Sequence, residues 1–272
     1  MRKIFLISIF LLCYFLACIS SAHAFSLNLN PPSIRLTVGT GESTSGKITL
    51  ENRGDLKLSV KAYVEDWVYA KDGSKDFKEA GSTPYSCAKW IKLSQEKFDL
   101  NPKEIKEIEY TLTVPKDATG GHYAVIFFES LIEQAKAQVQ AAPAGGQGVA
   151  VAGRIGTIVY HETKGLVNKK GSILDLKASG YEKAKPLRVE LTFKNEGNTQ
   201  LQADGKLSLL DSSGNKVAET EVRRIYSLPG DPAGKELVFS KIELKKGRYI
   251  LKGALEYGGA EKATLEKDFI VK

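Results

Sequence analysis

The sequence predicts an all-β protein, two β-sandwich domains in tandem behind a cleaved export signal. Three observations carry this prediction. Apolar residues recur with period two along most of the chain after residue 25. The runs are short and are separated by clusters of Gly, Asn, Asp and Pro. Two local patterns occur twice, once in each half. Composition agrees: 42% hydrophobic and 26% charged residues place the chain among globular proteins, outside the disordered, collagen-like and polytopic membrane classes.

The first segment, residues 1–24, reads as an address. Met1-Arg2-Lys3 is a basic start, Ile4 to Ile19 is almost wholly apolar, and Ala22-His23-Ala24 puts small residues where a signal peptidase needs them. The apolar run is shorter than the roughly 20 residues of a bilayer span. Phe15 and Leu16 before Ala17-Cys18 make a poor lipoprotein signal. No later stretch reads as a membrane span. Removal of Arg2 and Lys3 lowers the net charge from +7 to +5, a mild excess that favours solubility and names no partner. Cys13 and Cys18 leave with the signal, so Cys87 has no partner for an internal disulfide and reads as a buried thiol. The fold must rest on its hydrophobic core.

Strands follow in order through a first domain at 25–163. Ile34, Leu36 and Val38 alternate with Arg35 and Thr37; Leu58, Val60, Ala62 and Val64 with Ser59, Lys61 and Tyr63; Ile108, Tyr110, Leu112 and Val114 with Glu109, Thr111 and Thr113. Turns are expected at Gly39–Gly41, Asn52–Asp55, Lys71–Ser74 and Pro115–Gly121. The Ala-, Gln- and Gly-rich segment 131–148 reads as a long loop before a strand at 149–161. A polar connector at 164–170 leads into a second domain, 171–272, with seven strands near 173–179, 186–195, 205–211, 216–224, 235–243, 247–257 and 262–271. Ile48–Asp55 resembles Leu191–Asn198, each a strand ending in an Asn-x-Gly turn. Gly121-His122-Tyr123 resembles Gly247-Arg248-Tyr249, each opening a strand with the Tyr of a tyrosine corner, whose hydroxyl bonds back to the corner backbone. Seven strands and such corners make both sandwiches immunoglobulin-like.

Catalytic and metal motifs are weak. Gly41–Lys47 nearly spells a phosphate-binding loop, but Ile48 continues into a strand where Ser or Thr and a helix are required. Arg53-Gly54-Asp55 and Asp211–Asn215 read as turns. His122 and His161 form no cluster in the sequence, no nucleophile has a recognisable setting, and the pairs Lys169-Lys170, Arg223-Arg224 and Lys245-Lys246 are dispersed. The expectation is a binding protein with no catalytic residues, cofactor, metal or nucleic-acid partner. Backbone chemistry remains. The strand after the long loop carries Val149, Val151, Gly153, Ile155, Thr157 and Val159 on one face, and an exposed edge there can pair with an added strand.

The chain resembles the PapD-like periplasmic pilus-assembly chaperones. The residues that carry this are Leu29–Leu36 (LNPPSIRL), the strand ending Leu50-Glu51-Asn52, Leu100–Glu104 before Ile108–Pro115, and Arg154–Tyr160 closing the domain. The resemblance implies a periplasmic protein that lends a strand, through Val149, Val151, Ile155 and Val159, to subunits of a pilus or other surface structure. An outer-membrane usher would be a second partner. It also implies a pair of cations between the domains that anchors the subunit's terminal carboxylate. Arg35 lies at the first family position; Gly156 stands at the family's Lys, with Arg154 two residues away on the same face as the candidate substitute. The family's Tyr-Arg-Pro ending is replaced by Tyr160-His161-Glu162. Pro115, Ala118, Gly121 and Tyr123 are also similar to the corners of two-domain wall-associated surface proteins of Gram-positive bacteria. That resemblance implies the alternative, a secreted or surface immunoglobulin-like module contacting another protein or a glycan.

Overall fold

The computed structural model describes residues 26–70, 73–132, 152–240 and 242–272. Strands dominate throughout. In the first half they are β1 (Leu27–Asn30), β2 (Ser33–Val38), β3 (Ser43–Asn52), β4 (Leu58–Tyr69), β5 (Lys75–Lys78), β6 (Ile91–Leu93), β7 (Lys97–Leu100), β8 (Ile105–Thr113), β9 (Gly121–Ile132) and β10 (Ala152–Thr163). One sheet runs β1-β3-β8-β6. The other runs β2-β10-β9-β4-β5, with β7 beside the start of β4. Their inner faces meet in a core where Ile48, Leu50, Ile108, Leu112, Ile126 and Phe128 are fully buried. The alternation that predicted β8 is the reason it forms: Ile108, Tyr110 and Leu112 face this core while Glu107 and Glu109 face solvent. Asp66, buried on β4, accepts hydrogen bonds from the Thr83 amide and hydroxyl and the Ser86 hydroxyl, which ties down the 79–86 loop.

The second half forms a separate sandwich from β11 (Gly171–Ala178), β12 (Leu187–Asn195), β13 (Leu201–Asp211), β14 (Lys216–Ser227), β15 (Pro232–Phe239), β16 (Gly247–Glu256) and β17 (Ala263–Val271). Sheet β11-β12-β15 packs on sheet β14-β13-β16-β17. Seven strands stand close to the seven sequence positions. The Asp211–Asn215 segment is the β13–β14 turn, with the Asp211 carboxylate accepting the Ser213 and Asn215 amides.

The repeat is structural as well as textual. The Asn52 side-chain amide donates to the carbonyls of Leu56, Leu100 and Asn101 while its oxygen accepts the Gly54 amide. Asn195 donates to Thr199 and Ser227 and accepts from Gly197. Each Asn is fully buried and closes one end of its sandwich. The corners behave differently. Tyr249 bonds the Lys245 backbone 3.1 Å away, as a tyrosine corner should. Tyr123 does not, which corrects the expectation from its sequence: its hydroxyl reaches into the second sandwich, to the Gln200 amide and the Thr199 hydroxyl. The reason is proximity of the other domain. An added Cβ at Gly120 would lie 2.2 Å from the Asn198 carbonyl oxygen, so the corner backbone itself packs on the second sandwich.

That contact is part of a broad junction. Gly121 donates to the Asn198 carbonyl at 2.7 Å, the Tyr85 hydroxyl to that of Pro229, and the Gln200 side chain to the Tyr69 hydroxyl. Leu228 of the second sandwich is buried with Trp67, Tyr123, Val125 and Phe127 of the first. Seven residues of polar connector between β10 and β11 would leave two domains free to swing; hydrogen bonds and apolar burial hold these two in one arrangement.

Candidate subunit-binding edge and interdomain cleft

β10 positions the predicted site. It pairs antiparallel with β9 along its whole length, from Ala152 opposite Leu131 to Glu162 opposite Gly121. On its other side β2 pairs, in parallel, only with Ile158–Thr163, and Pro31 and Pro32 cover the start of that ladder through bonds to the Thr157 hydroxyl and the Ile158 amide. From Ala152 to Gly156 the second edge has no strand partner among the described residues.

The predicted donor residues divide. Val149 and Val151 lie outside the described residues, as does most of the 131–148 loop; Leu131 and Ile132 belong to β9. Ile155 is half-buried at the rim of the first core. Val159 has no exposed surface and is packed inside that core. Val159 is therefore not an available contact: β2 and β9 flank it on both sides, so its face is closed by the sandwich itself.

The predicted cation pair does not converge. On β10 the even positions face away from the core. Tyr160 is in register with Arg35 of β2, and the Arg35 guanidinium lies 4.3 Å from the Tyr160 ring centre. Arg154 is six residues further along the strand, about 20 Å away at the usual rise. Its guanidinium stacks on Phe127 at 4.3 Å and Phe77 at 5.2 Å and is 3.4 Å from Glu65. The Tyr63 hydroxyl beside it, foremost, keeps its charge firmly in place. Gly156, where the resemblance expects Lys, is closed: an added Cβ would sit 2.8 Å from both the Phe127 ring and the Val125 side chain.

A residue that sequence reasoning did not select joins Arg35 instead. A cleft of about 450 Å³ at the domain junction is lined by Arg35, Tyr160, Glu162, Lys169, Gln202 and Tyr257, among others. Lys169 comes from the connector, 3.9 Å from the Glu162 carboxylate, which also accepts the Thr199 hydroxyl. Arg35 has no carboxylate partner among the described residues. Burial raises the Tyr160 phenol above its ordinary range while Arg35 opposes that rise, so the ring stays neutral under the guanidinium. The cleft thus presents two cations, one carboxylate and hydrogen-bonding amides, an arrangement suited to an anionic group with polar surroundings. In the sequence Lys169 is one more exposed Lys; only the docking of the two sandwiches brings it beside Arg35.

The fold is similar to that of fimbrial chaperones. Among solved structures, the class 5 fimbriae chaperone CfaA aligns at 13% identity over 91% of this chain and 100% of its own, with a TM-score of 0.45. The CsuC–CsuE chaperone–tip adhesion subunit complex of Acinetobacter baumannii Csu pili gives 13%, 89%, 97% and 0.44. The E. coli chaperone DraB gives 15%, 91%, 98% and 0.37. No family model matches the chain, and no curated protein does. No helix among the described residues is long and apolar enough to cross a membrane.

Proposed function

We propose that this chain is a periplasmic chaperone-like protein that holds subunits of a pilus or other surface structure by adding a strand to them. The open edge of β10 from Ala152 to Gly156 carries the reading. A strand with unpaired amides and carbonyls binds another backbone through main-chain hydrogen bonds, and alternate side chains give specificity. Val149, Val151 and Ile155 are the side chains assigned to the subunit, with Arg35 and Lys169 as the receptors of its terminal carboxylate. Such a protein performs no reaction. One of the structures similar to this chain is a chaperone bound to a tip adhesin subunit, and the proposal gives this chain a role of that kind.

The test is co-purification with a pilin-like subunit. Val151→Asp and Ile155→Asp place a charge on the donated face and should abolish capture in a folded chain. Val159→Asp would unfold the first sandwich and tells nothing about donation. Arg35→Ala and Lys169→Ala should each weaken capture roughly tenfold or more, the loss of one charge-assisted hydrogen bond. Retained capture in the Val151→Asp, Ile155→Asp double variant overturns strand donation. Unchanged affinity in both cleft variants overturns the carboxylate anchor alone.

A further inference from the structure

The exported chain contains two histidines, His122 and His161, and the fold brings them together. They are direct cross-strand partners in the β9–β10 ladder, on the face that packs on the first core. Their ring centres are 6.0 Å apart with an angle of 40° between planes. The Trp90 ring packs beside both, 4.3 Å from His122 at a tilt of 46° and 5.7 Å from His161 edge-on at 77°.

Their protonation pattern is constrained. His161 is fully buried, and its Nε2 is 3.3 Å from the Val38 carbonyl oxygen. A carbonyl only accepts, so Nε2 carries the hydrogen and Nδ1 is left as a bare lone pair. That Nδ1 has no hydrogen-bond partner. Neither has the buried Nδ1 of His122, nor the buried hydroxyl of Thr163, two residues along the same face of β10. Buried polar atoms in native proteins almost always have a partner. Two of these orphans are nitrogens of neighbouring imidazoles, groups able to ligate a metal ion. Burial holds both rings neutral, which is the ligating form.

We propose that His122 Nδ1 and His161 Nδ1 bind one singly charged d10 metal ion, Cu(I), beside Trp90. The spacing fits. Two imidazoles sharing an ion at about 2 Å from each nitrogen have ring centres about 6 Å apart when the nitrogen–metal–nitrogen angle is wide. A wide two-coordinate geometry is one that Cu(I) and Ag(I) accept. A divalent ion would need further ligands, and no set of three or more His, Cys, Asp or Glu side chains is placed to hold a metal among the described residues. A single charge also costs less than two in an apolar site. The Val38 carbonyl is the outer partner that fixes the ring of His161.

The experiment uses silver nitrate, the redox-inert counterpart, in chloride-free buffer. The protein is the exported chain carrying Cys87→Ala, which removes its remaining sulfur. Imidazole 15N spectra and tryptophan emission are followed together. The expected result is saturation at one equivalent, with movement of both Nδ1 resonances and quenching of emission. His122→Ala, at the half-buried member of the pair, should weaken binding by about one to two orders of magnitude. His161→Gln should do the same if it folds. Cys87→Ser, which also removes the sulfur, replaces the alanine variant should that variant fold poorly. No Nδ1 shift at one equivalent, or equal affinity in His122→Ala, overturns the proposal and assigns the pocket to water.

Discussion

Gly156 and Phe127 are locked together across the β9–β10 ladder: the register places them opposite each other, and the Phe127 ring fills the space that a Gly156 side chain would need. Gly156→Lys, the residue that the resemblance to pilus-assembly chaperones would expect there, should therefore destabilise the chain by about 1–3 kcal/mol through overpacking and should not strengthen subunit capture. Urea unfolding and the co-purification assay check the two halves of this expectation. A stable variant with tighter capture would mean that Phe127 swings aside.

The two buried asparagines should be equally indispensable. Asn52→Ala leaves the carbonyls of Leu56, Leu100 and Asn101 without their donor, and Asn195→Ala does so for Thr199 and Ser227. Each should cost about 2–4 kcal/mol in chemical denaturation. A loss near zero at either site would mean that water replaces the amide.

Tyr123→Phe removes the hydroxyl that accepts the Gln200 amide across the junction. The expected loss is about 1–3 kcal/mol, felt as weaker coupling between the sandwiches. Calorimetry should show the unfolding transition broaden or split, while Tyr249→Phe, whose corner is local, should lower stability without splitting it.

Acid should weaken the first sandwich through His122. Burial, and secondarily His161, lowers its pKa from 6.5 to about 4. Between those values the unfolded chain takes up a proton that the folded chain refuses, so stability falls as pH drops from 6.5 towards 4. His161 shifts in the same direction, also through burial. His122→Gln should flatten the dependence of melting temperature on pH in this window; an unchanged slope would assign the acid sensitivity elsewhere.

Much of the architecture was legible in the residues. Ile108, Tyr110 and Leu112 alternate with Glu109 and Thr111, and a strand with one buried face is the physical consequence. Asn52 and Asn195 announced equivalent turns because the Asn-x-Gly hydrogen bond is local. The site was less legible. The alternation of Ile155 and Val159 is the same whether the face meets a subunit or a core. Tyr123 carries a corner signature, yet its partner lies in the other domain.

The sequence by itself determined that the chain is two tandem sandwiches and where most of their strands run. These properties depend on neighbours a few residues apart. The tertiary structure decided that Val159 is sealed, that Arg154 stands far from Arg35, that Lys169 shares the cleft with Arg35, and that His122 faces His161. Those facts depend on register between strands distant in sequence and on how one sandwich docks against the other, and side-chain periodicity carries no information about either.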